Sequence, residues 1–218
     1  MLTALIFCGG KGTRMRDYDK TLPKPLININ GNPLISYIIK QYDKKVDNLV
    51  LLTGHKYKEF NKFRFGSKVS LLYTGENSST LERLKKAKNV IKGEYFFLTY
   101  GDSYAKFDLL NALEAHKKTN NIISSSYFLL EFPYGKFINF KNNYKYVEKE
   151  EMKINSGFYI CSIKIFKYLE NFKSLERELI PYLIKKKKCS PLYPVKNWHP
   201  VDSYHDVLAF QKFLNKKK

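Results

Sequence analysis

The apolar residues of this chain fall into short unbroken runs separated by stretches with helical spacing. Leu2–Cys8 and Asn48–Thr53 read as fully buried strands, because they lack the in/out alternation of a half-exposed one. Val69–Tyr73, Tyr95–Thr99, Ile122–Leu129 and Ile154–Cys161 read the same way. Between them, Leu34–Tyr42, Ser79–Val90 and Leu109–Lys118 carry helical spacing. Alternation of this kind predicts an α/β chain with a mainly parallel sheet, helices on both faces and ligands at the carboxyl ends of the strands. Later segments depart from the pattern. Tyr127–Phe140 and Tyr144–Val147, with turn residues Pro133 and Gly135 inside the first and Asn142 and Asn143 between the two, predict a small antiparallel excursion. Residues 173–186 resemble a helix, Pro191–Val195 a short strand and Tyr204–Leu214 a terminal helix. With no repeat, linker or composition break, residues 1–218 read as a single domain.

Composition changes this picture little. A hydrophobic content of 44% with 16% aromatics is that of a folded globular chain. No apolar run approaches the ~20 residues of a membrane span, and residues 1–8 lack the charged start of a signal peptide, so the expected compartment is the cytoplasm. Cys8, Cys161 and Cys189 show no CxxC spacing, which argues against a disulfide framework or a zinc site.

Charge raises a sharper question, because the formal net charge is +19. Taken alone it suggests a polyanionic partner. Yet Arg14, Arg16, Arg64, Arg83 and Arg177 are the only arginines, and the residue that pairs bidentately with phosphate and guanine is therefore scarce. The runs Lys185–Lys188 and Lys216–Lys218 read as a solvated helix end and a frayed tail. The expectation is no dedicated nucleic-acid partner, with a field that helps attract an anionic substrate.

Candidate chemistry concentrates near the start. Gly9-Gly10-Lys11-Gly12-Thr13-Arg14 follows the first strand directly, and its glycines let backbone N–H groups approach an anion. A plain strand-to-helix turn would need a glycine or two, but neither Lys11 nor Arg14. In Leu22-Pro23-Lys24-Pro25-Leu26, two prolines stiffen the backbone around one lysine.

Together these segments match GGxGTR…PKP, and on them the chain resembles the sugar-phosphate nucleotidyltransferases. The match extends almost end to end. Thr99-Tyr100-Gly101-Asp102 resembles the family's Gly-Asp segment, Val147-Glu148-Lys149 its "EKP", Ile154-Asn155-Ser156-Gly157-Phe158 its "INGGFFV", and Trp198–Ser203 its "WxPxDT". The resemblance implies a Rossmann-like, GT-A-like fold, with a nucleotide-binding part over about 1–110 and an acceptor-binding part over about 120–205. It implies Arg14, Lys24 and Lys149 as catalytic groups. Gly9, Gly10, Lys11, Gly12, Thr13, Arg83, Tyr100 and Gly101 would contact the nucleotide. Asp102 and Asp202 would ligate Mg²⁺, with Mn²⁺ an alternative. The chemistry is self-consistent, since displacement at phosphorus between two anions calls mainly for positioning and charge neutralisation.

Within the family, Leu98–Asp102, Thr74-Gly75-Glu76, Ser79–Lys85 and Leu175–Leu179 resemble the glucose-1-phosphate cytidylyltransferase branch, which implies CTP. Departures bear on the acceptor. Leu81-Glu82 replaces a Gly-Gly pair and is expected to fill space near the base or sugar. Glu150 replaces the "EKP" proline, only Glu151–Lys153 separate that segment from Ile154, and Ser156 replaces a glycine. These changes point to a small phosphate monoester that need not be a sugar, as in the related cytidylyltransferases that use phosphoglutamine in capsule synthesis. Alternatives are a glucose-1-phosphate enzyme, another nucleoside triphosphate, or a non-catalytic nucleotide or polyanion binder. Aromatics such as Tyr18 or Phe65 suit either a homo-oligomer interface or a core.

Overall fold

The computed structural model describes residues 1–12, 21–148 and 151–216. Along the chain run β1 (Thr3–Phe7), the two-residue strands β2 (Asn28–Ile29) and β3 (Asn32–Pro33), and helix α1 (Leu34–Tyr42). Next come β4 (Asn48–Thr53), β5 (Val69–Tyr73), α2 (Thr80–Lys86), β6 (Tyr95–Tyr100), β7 (Ser103–Lys106) and α3 (Leu109–Lys117). Then follow β8 (Ile123–Glu131), β9 (Lys136–Phe140), β10 (Asn143–Val147), β11 (Glu151–Ser162), α4 (Ile180–Lys185), β12 (Cys189–Pro194), β13 (Lys196–Pro200) and α5 (Tyr204–Asn215).

Seven strands form the central sheet in the order β12-β8-β11-β6-β1-β4-β5. β1 pairs in parallel with β4 and β6, and Ala4, Leu5 and Ile6 have no exposed surface, as expected of a strand covered on both faces. α1 and α3 pack on one face, through Ile35, Ile38 and Leu109 among others. α2 and α4 pack on the other, through Leu81, Leu84 and Leu183. α5 joins α1 in a third cluster around Leu34, Tyr104, Val207 and Phe210.

Four expectations need correcting or refining. β5 is not fully buried: it is the sheet edge, and Leu71 and Tyr73 are exposed because no strand covers their outer side. β11 runs against its neighbours β6 and β8, and the β8–β11 pair reaches out to Glu131 and Glu151, beyond the buried core. The helix expected over Ser79–Val90 stops at Lys86, where the Ala87 N–H bonds back to Arg83 and Leu84, and a 3₁₀ turn follows. The helix expected over 173–186 opens with a π turn at Leu175–Leu179, since Pro181 has no N–H for a regular first turn. The antiparallel excursion is the β9–β10 pair, and Phe65 packs partly buried against the core. Tyr18 lies outside the described residues.

Candidate active site

The glycine loop and the Gly-Asp segment lie together at the carboxyl ends of β1 and β6. Beyond β1, the Cys8 N–H bonds to Leu52 O (3.0 Å) and Gly9 O accepts from the His55 N–H (3.1 Å), which brings the glycine loop over the sheet edge. Gly9, Gly10 and Gly12 line a cleft of about 300 Å³ together with Ser78, Thr80 and Arg83. Cys8 also reaches this cleft, but burial, reinforced by the charge of Asp102, pushes its thiol up. It is a neutral wall rather than a nucleophile.

Arg83 sits behind the loop with 4% of its surface exposed. Its guanidinium donates to Thr53 O, Thr74 Oγ1 and Gly75 O through Nη1, and to Gly9 O through Nη2 at 2.8 Å. One side chain thereby ties together three loops that follow β1, β4 and β5. A Cβ at Gly9 or Gly54 would lie 2.1 or 2.3 Å from Nη1, so those glycines make room for the arginine. Burial lowers the guanidinium pKa, and the carbonyl ring around it compensates the charge.

Lys24 stands at the centre. It opens a 3₁₀ turn held by Pro23 and Pro25, with the Leu26 N–H on Pro23 O (2.8 Å). Gly12 takes φ +56°, and a Cβ added there would lie 3.2 Å from the lysine Cβ. The side chain is 8% exposed, and its ammonium donates to Asp102 Oδ2 at 2.9 Å and to Asp202 Oδ1 at 2.5 Å. The two carboxylates come from segments a hundred residues apart. Antiparallel pairing of β7 with β13, and the Val201 N–H on Asp102 O (2.9 Å), set them side by side. Asp206 Oδ2 accepts from the Asp202 N–H (2.9 Å) and, with Ser203, forms a capping box that starts α5. Among the described residues, no group of three or more His, Cys, Asp or Glu could hold a metal. Two oxygen-donor carboxylates at an open cleft suit a hard cation that completes its shell with water and ligand oxygens, as Mg²⁺ does.

Asp102 and Tyr100 also line a second cleft of about 290 Å³. Its far wall carries Asn155, Tyr159, Glu176 and Trp198. The Tyr100 hydroxyl donates to Glu176, Asn155 donates to Tyr159 Oη (2.8 Å), and the Trp198 indole N–H donates to Ser103 Oγ (2.9 Å). Burial raises the phenols of Tyr100 and Tyr159, so both stay protonated, and Tyr100 serves as a donor. Gly157, at φ +81°, forms a bulge in β11 against the Tyr100 ring, while Ser156 turns inward onto Ser126 Oγ (2.5 Å).

Residues 3–180 match the family model described as nucleotidyl transferase. The chain belongs to the nucleotidyl transferase family. Among its relatives is a Bacillus subtilis protein named "Probable glucose-1-phosphate cytidylyltransferase", 28% identical, with 98% of this chain and 96% of that protein covered. The glucose-1-phosphate cytidylyltransferase of Salmonella typhimurium is 25% identical, covering 100% of this chain and 97% of the relative. A crystal structure from Bacillus anthracis, solved in complex with a sucrose, shares the fold with a TM-score of 0.75 and 14% identity, covering 100% of this chain and 96% of that one. The resemblance read in the sequence is thus borne out, and the chain is an enzyme of the nucleotidyltransferase kind.

Of the residues the family pattern singles out, the structure gathers Gly9, Gly10, Gly12, Lys24, Arg83, Tyr100, Asp102 and Asp202 on the two joined clefts. Lys11 is exposed on the loop. Gly101 is a packing position, since a Cβ there would lie 2.8 Å from Cys8 Sγ and 3.1 Å from Pro25. Thr13, Arg14 and Lys149 lie outside the described residues. Leu81 and Glu82 do not fill ligand space: Leu81 is buried in the core and Glu82 closes a capping box with Ser79. Helix geometry decides this, because consecutive residues face different ways and Thr80 and Arg83, three apart, share the cleft side. Glu176 and Tyr159 carried no signal beyond the branch resemblance and the end of a strand, and Gly54 carried none.

Proposed function

We propose that this nucleotidyltransferase transfers CMP from CTP to a small phosphate monoester, releasing pyrophosphate. One observation carries the reading: Lys24 bridges Asp102 and Asp202 where the two clefts meet. A phosphate oxygen of the acceptor attacks the α-phosphorus, the bond to the β-phosphate oxygen breaks, and the pyrophosphate leaves with the electron pair. A phosphate dianion needs no general base near pH 7, its second pKa being about 6. The glycine-loop amides and Arg14 hold the triphosphate, Lys24 neutralises charge gathering on the α-phosphoryl group, and Lys149 orients the attacking phosphate. Asp102 and Asp202 would hold Mg²⁺, or Mn²⁺, which when bound neutralises triphosphate oxygens. A binding division into about 1–110 for nucleotide and 120–205 for acceptor follows the lining of the clefts, the second drawing most of its wall from 155–202.

For the acceptor, the shortened 148–154 segment and Ser156 in place of a glycine favour a molecule smaller than a hexose phosphate, phosphoglutamine-like, in capsule synthesis. Glucose 1-phosphate is the second reading, favoured by the names of the two relatives. Three buried free thiols suit the reducing cytoplasm. The test is pyrophosphate release from each of the four nucleoside triphosphates with Mg²⁺ and a panel of sugar and amino-acid phosphates. Turnover with CTP and a non-sugar phosphate is the expected result. Turnover with no triphosphate at all overturns the reading, and turnover only with hexose phosphates selects the second.

A further inference from the structure

The far end of the sheet carries a second pocket that the transfer reaction does not use. It has a volume of about 260 Å³ and lies at Tyr95, the first residue of β6, whose last residue, Tyr100, lines the catalytic clefts. The five residue steps from Tyr95 to Tyr100 separate the two by about 17 Å. Four segments converge there: the start of β6, the loop before β8, the turn after β11, and the turn between α4 and β12. They contribute Lys164, Lys167 and Lys188, with Ser162 and Asn120 beside them, and among the described residues no Asp or Glu lines the pocket.

Local structure holds this lining in place. The Lys188 carbonyl accepts from the Ile122 N–H (2.7 Å), joining two of the loops, and Lys187 takes a left-handed φ of +56° to turn Lys188 inward. Asn121 donates to Ser124 Oγ (3.2 Å) and Ser190 Oγ (2.8 Å), which fixes the loop that presents Asn120. Lys188 is half-buried, Lys164 and Lys167 are exposed at the rim, and among the described residues no carboxylate pairs with any of the three lysines. Three like charges gathered on a polar concavity without a counter-charge repel one another, and an anion with several oxygens would relieve that repulsion and take their hydrogen bonds. The lysine run expected to be a mere solvated helix end is therefore divided, with Lys188 built into the pocket.

We propose that this pocket is a second anion site, selective for a phosphorylated small molecule of about pyrophosphate size and separate from the catalytic clefts. The test is isothermal titration of inorganic pyrophosphate alone at 150 mM salt. Four proteins are compared: the wild type, Lys24→Ala, the triple variant Lys164→Ala/Lys167→Ala/Lys188→Ala, and a control that removes equal charge nearby, Lys185→Ala/Lys186→Ala/Lys187→Ala. Circular dichroism establishes that each is folded. The wild type and Lys24→Ala are expected to share a binding event that the pocket triple variant loses, or binds at least tenfold more weakly, while the control keeps it. The single variant Lys188→Ala should weaken the same event without lowering turnover under saturating substrate. Equal binding by the pocket triple variant and the wild type overturns the proposal. So does equal weakening by the control, since the lysines would then act only as diffuse charge. A failed nucleotidyl-transfer assay would leave this binding result unaffected, because the titration contains no nucleotide.

Discussion

Lys24 and Arg83 are two buried cations packed against the same glycine loop, and their surroundings give them different work. Lys24 faces two carboxylates with open cleft on either side, so its charge is compensated but within reach of a ligand. Lys24→Ala should lower kcat/KM at least a hundredfold, as expected for loss of a charge that stabilises the transition state, with an unchanged circular dichroism spectrum and Tm. Arg83 spends its guanidinium on three carbonyls and a threonine, so truncation leaves those acceptors buried and unpaired. Arg83→Ala should therefore cost on the order of 3 kcal/mol in a urea titration. Lys should not rescue it, because an ammonium cannot span acceptors from three loops.

At the scale of elements, the clefts depend on irregularities in otherwise regular strands. β11 crosses from the exposed β8–β11 ladder into the core through the bulge at Ser156–Phe158, and the Phe158 N–H bonds to Ser126 Oγ (3.2 Å). Gly157 must accept positive φ with the Tyr100 ring 3.0 Å from where a Cβ would sit. Gly157→Val would force a β-branched residue into that conformation and push Tyr100 from Glu176. The expected outcome is a loss of about 2 kcal/mol of stability and a raised KM for both substrates, since Tyr100 lines both clefts, with the larger rise for the acceptor, whose cleft Gly157 itself lines; steady-state kinetics with each substrate varied would measure both. The β7–β13 pair does comparable work for the carboxylates, and the indole of Trp198 braces it through Ser103 and the ring of Phe128.

Over the whole molecule, charge and burial set the response to solution conditions. With a net charge of +19, the long-range field attracts a triphosphate and is screened within about 10 Å at 0.1 M salt. Raising NaCl from 50 to 500 mM should lower kcat/KM for the nucleotide several-fold while leaving kcat almost constant. Stability carries a pH signature from His116, on the buried side of α3, with Nδ1 on Ser124 Oγ (2.6 Å) and its pKa pushed down to about 4 by burial. An unfolded histidine takes up its proton below about pH 6.5, whereas the folded one resists until about 4. Stability should thus fall as pH drops through that window, by on the order of 3 kcal/mol in total. His116→Gln should flatten that part of the slope in urea titrations at pH 7, 5.5 and 4.5.

The order and kind of the main sheet strands and helices, the glycine loop after β1 and the proline-flanked Lys24 were legible along the chain, because each rests on interactions within a few residues, whereas the short strands β2, β3, β7 and β13 were not. Unbroken apolar runs mark strands wherever the sheet later puts them, and two prolines stiffen a lysine in any fold. What lay beyond reach depends on pairing between distant segments. Periodicity could not say that β5 would be the exposed edge or that β11 would run backwards, since strand neighbours are chosen by packing across the whole sheet. Nor could it place Arg83 between Gly9 and Gly54, or aim Glu176 at Tyr100. The family pattern named Asp102 and Asp202 separately as metal ligands. Only the pairing of β7 with β13 brings the two carboxylates onto one ammonium, because hydrogen bonds between strands nearly a hundred residues apart leave no local trace in either segment.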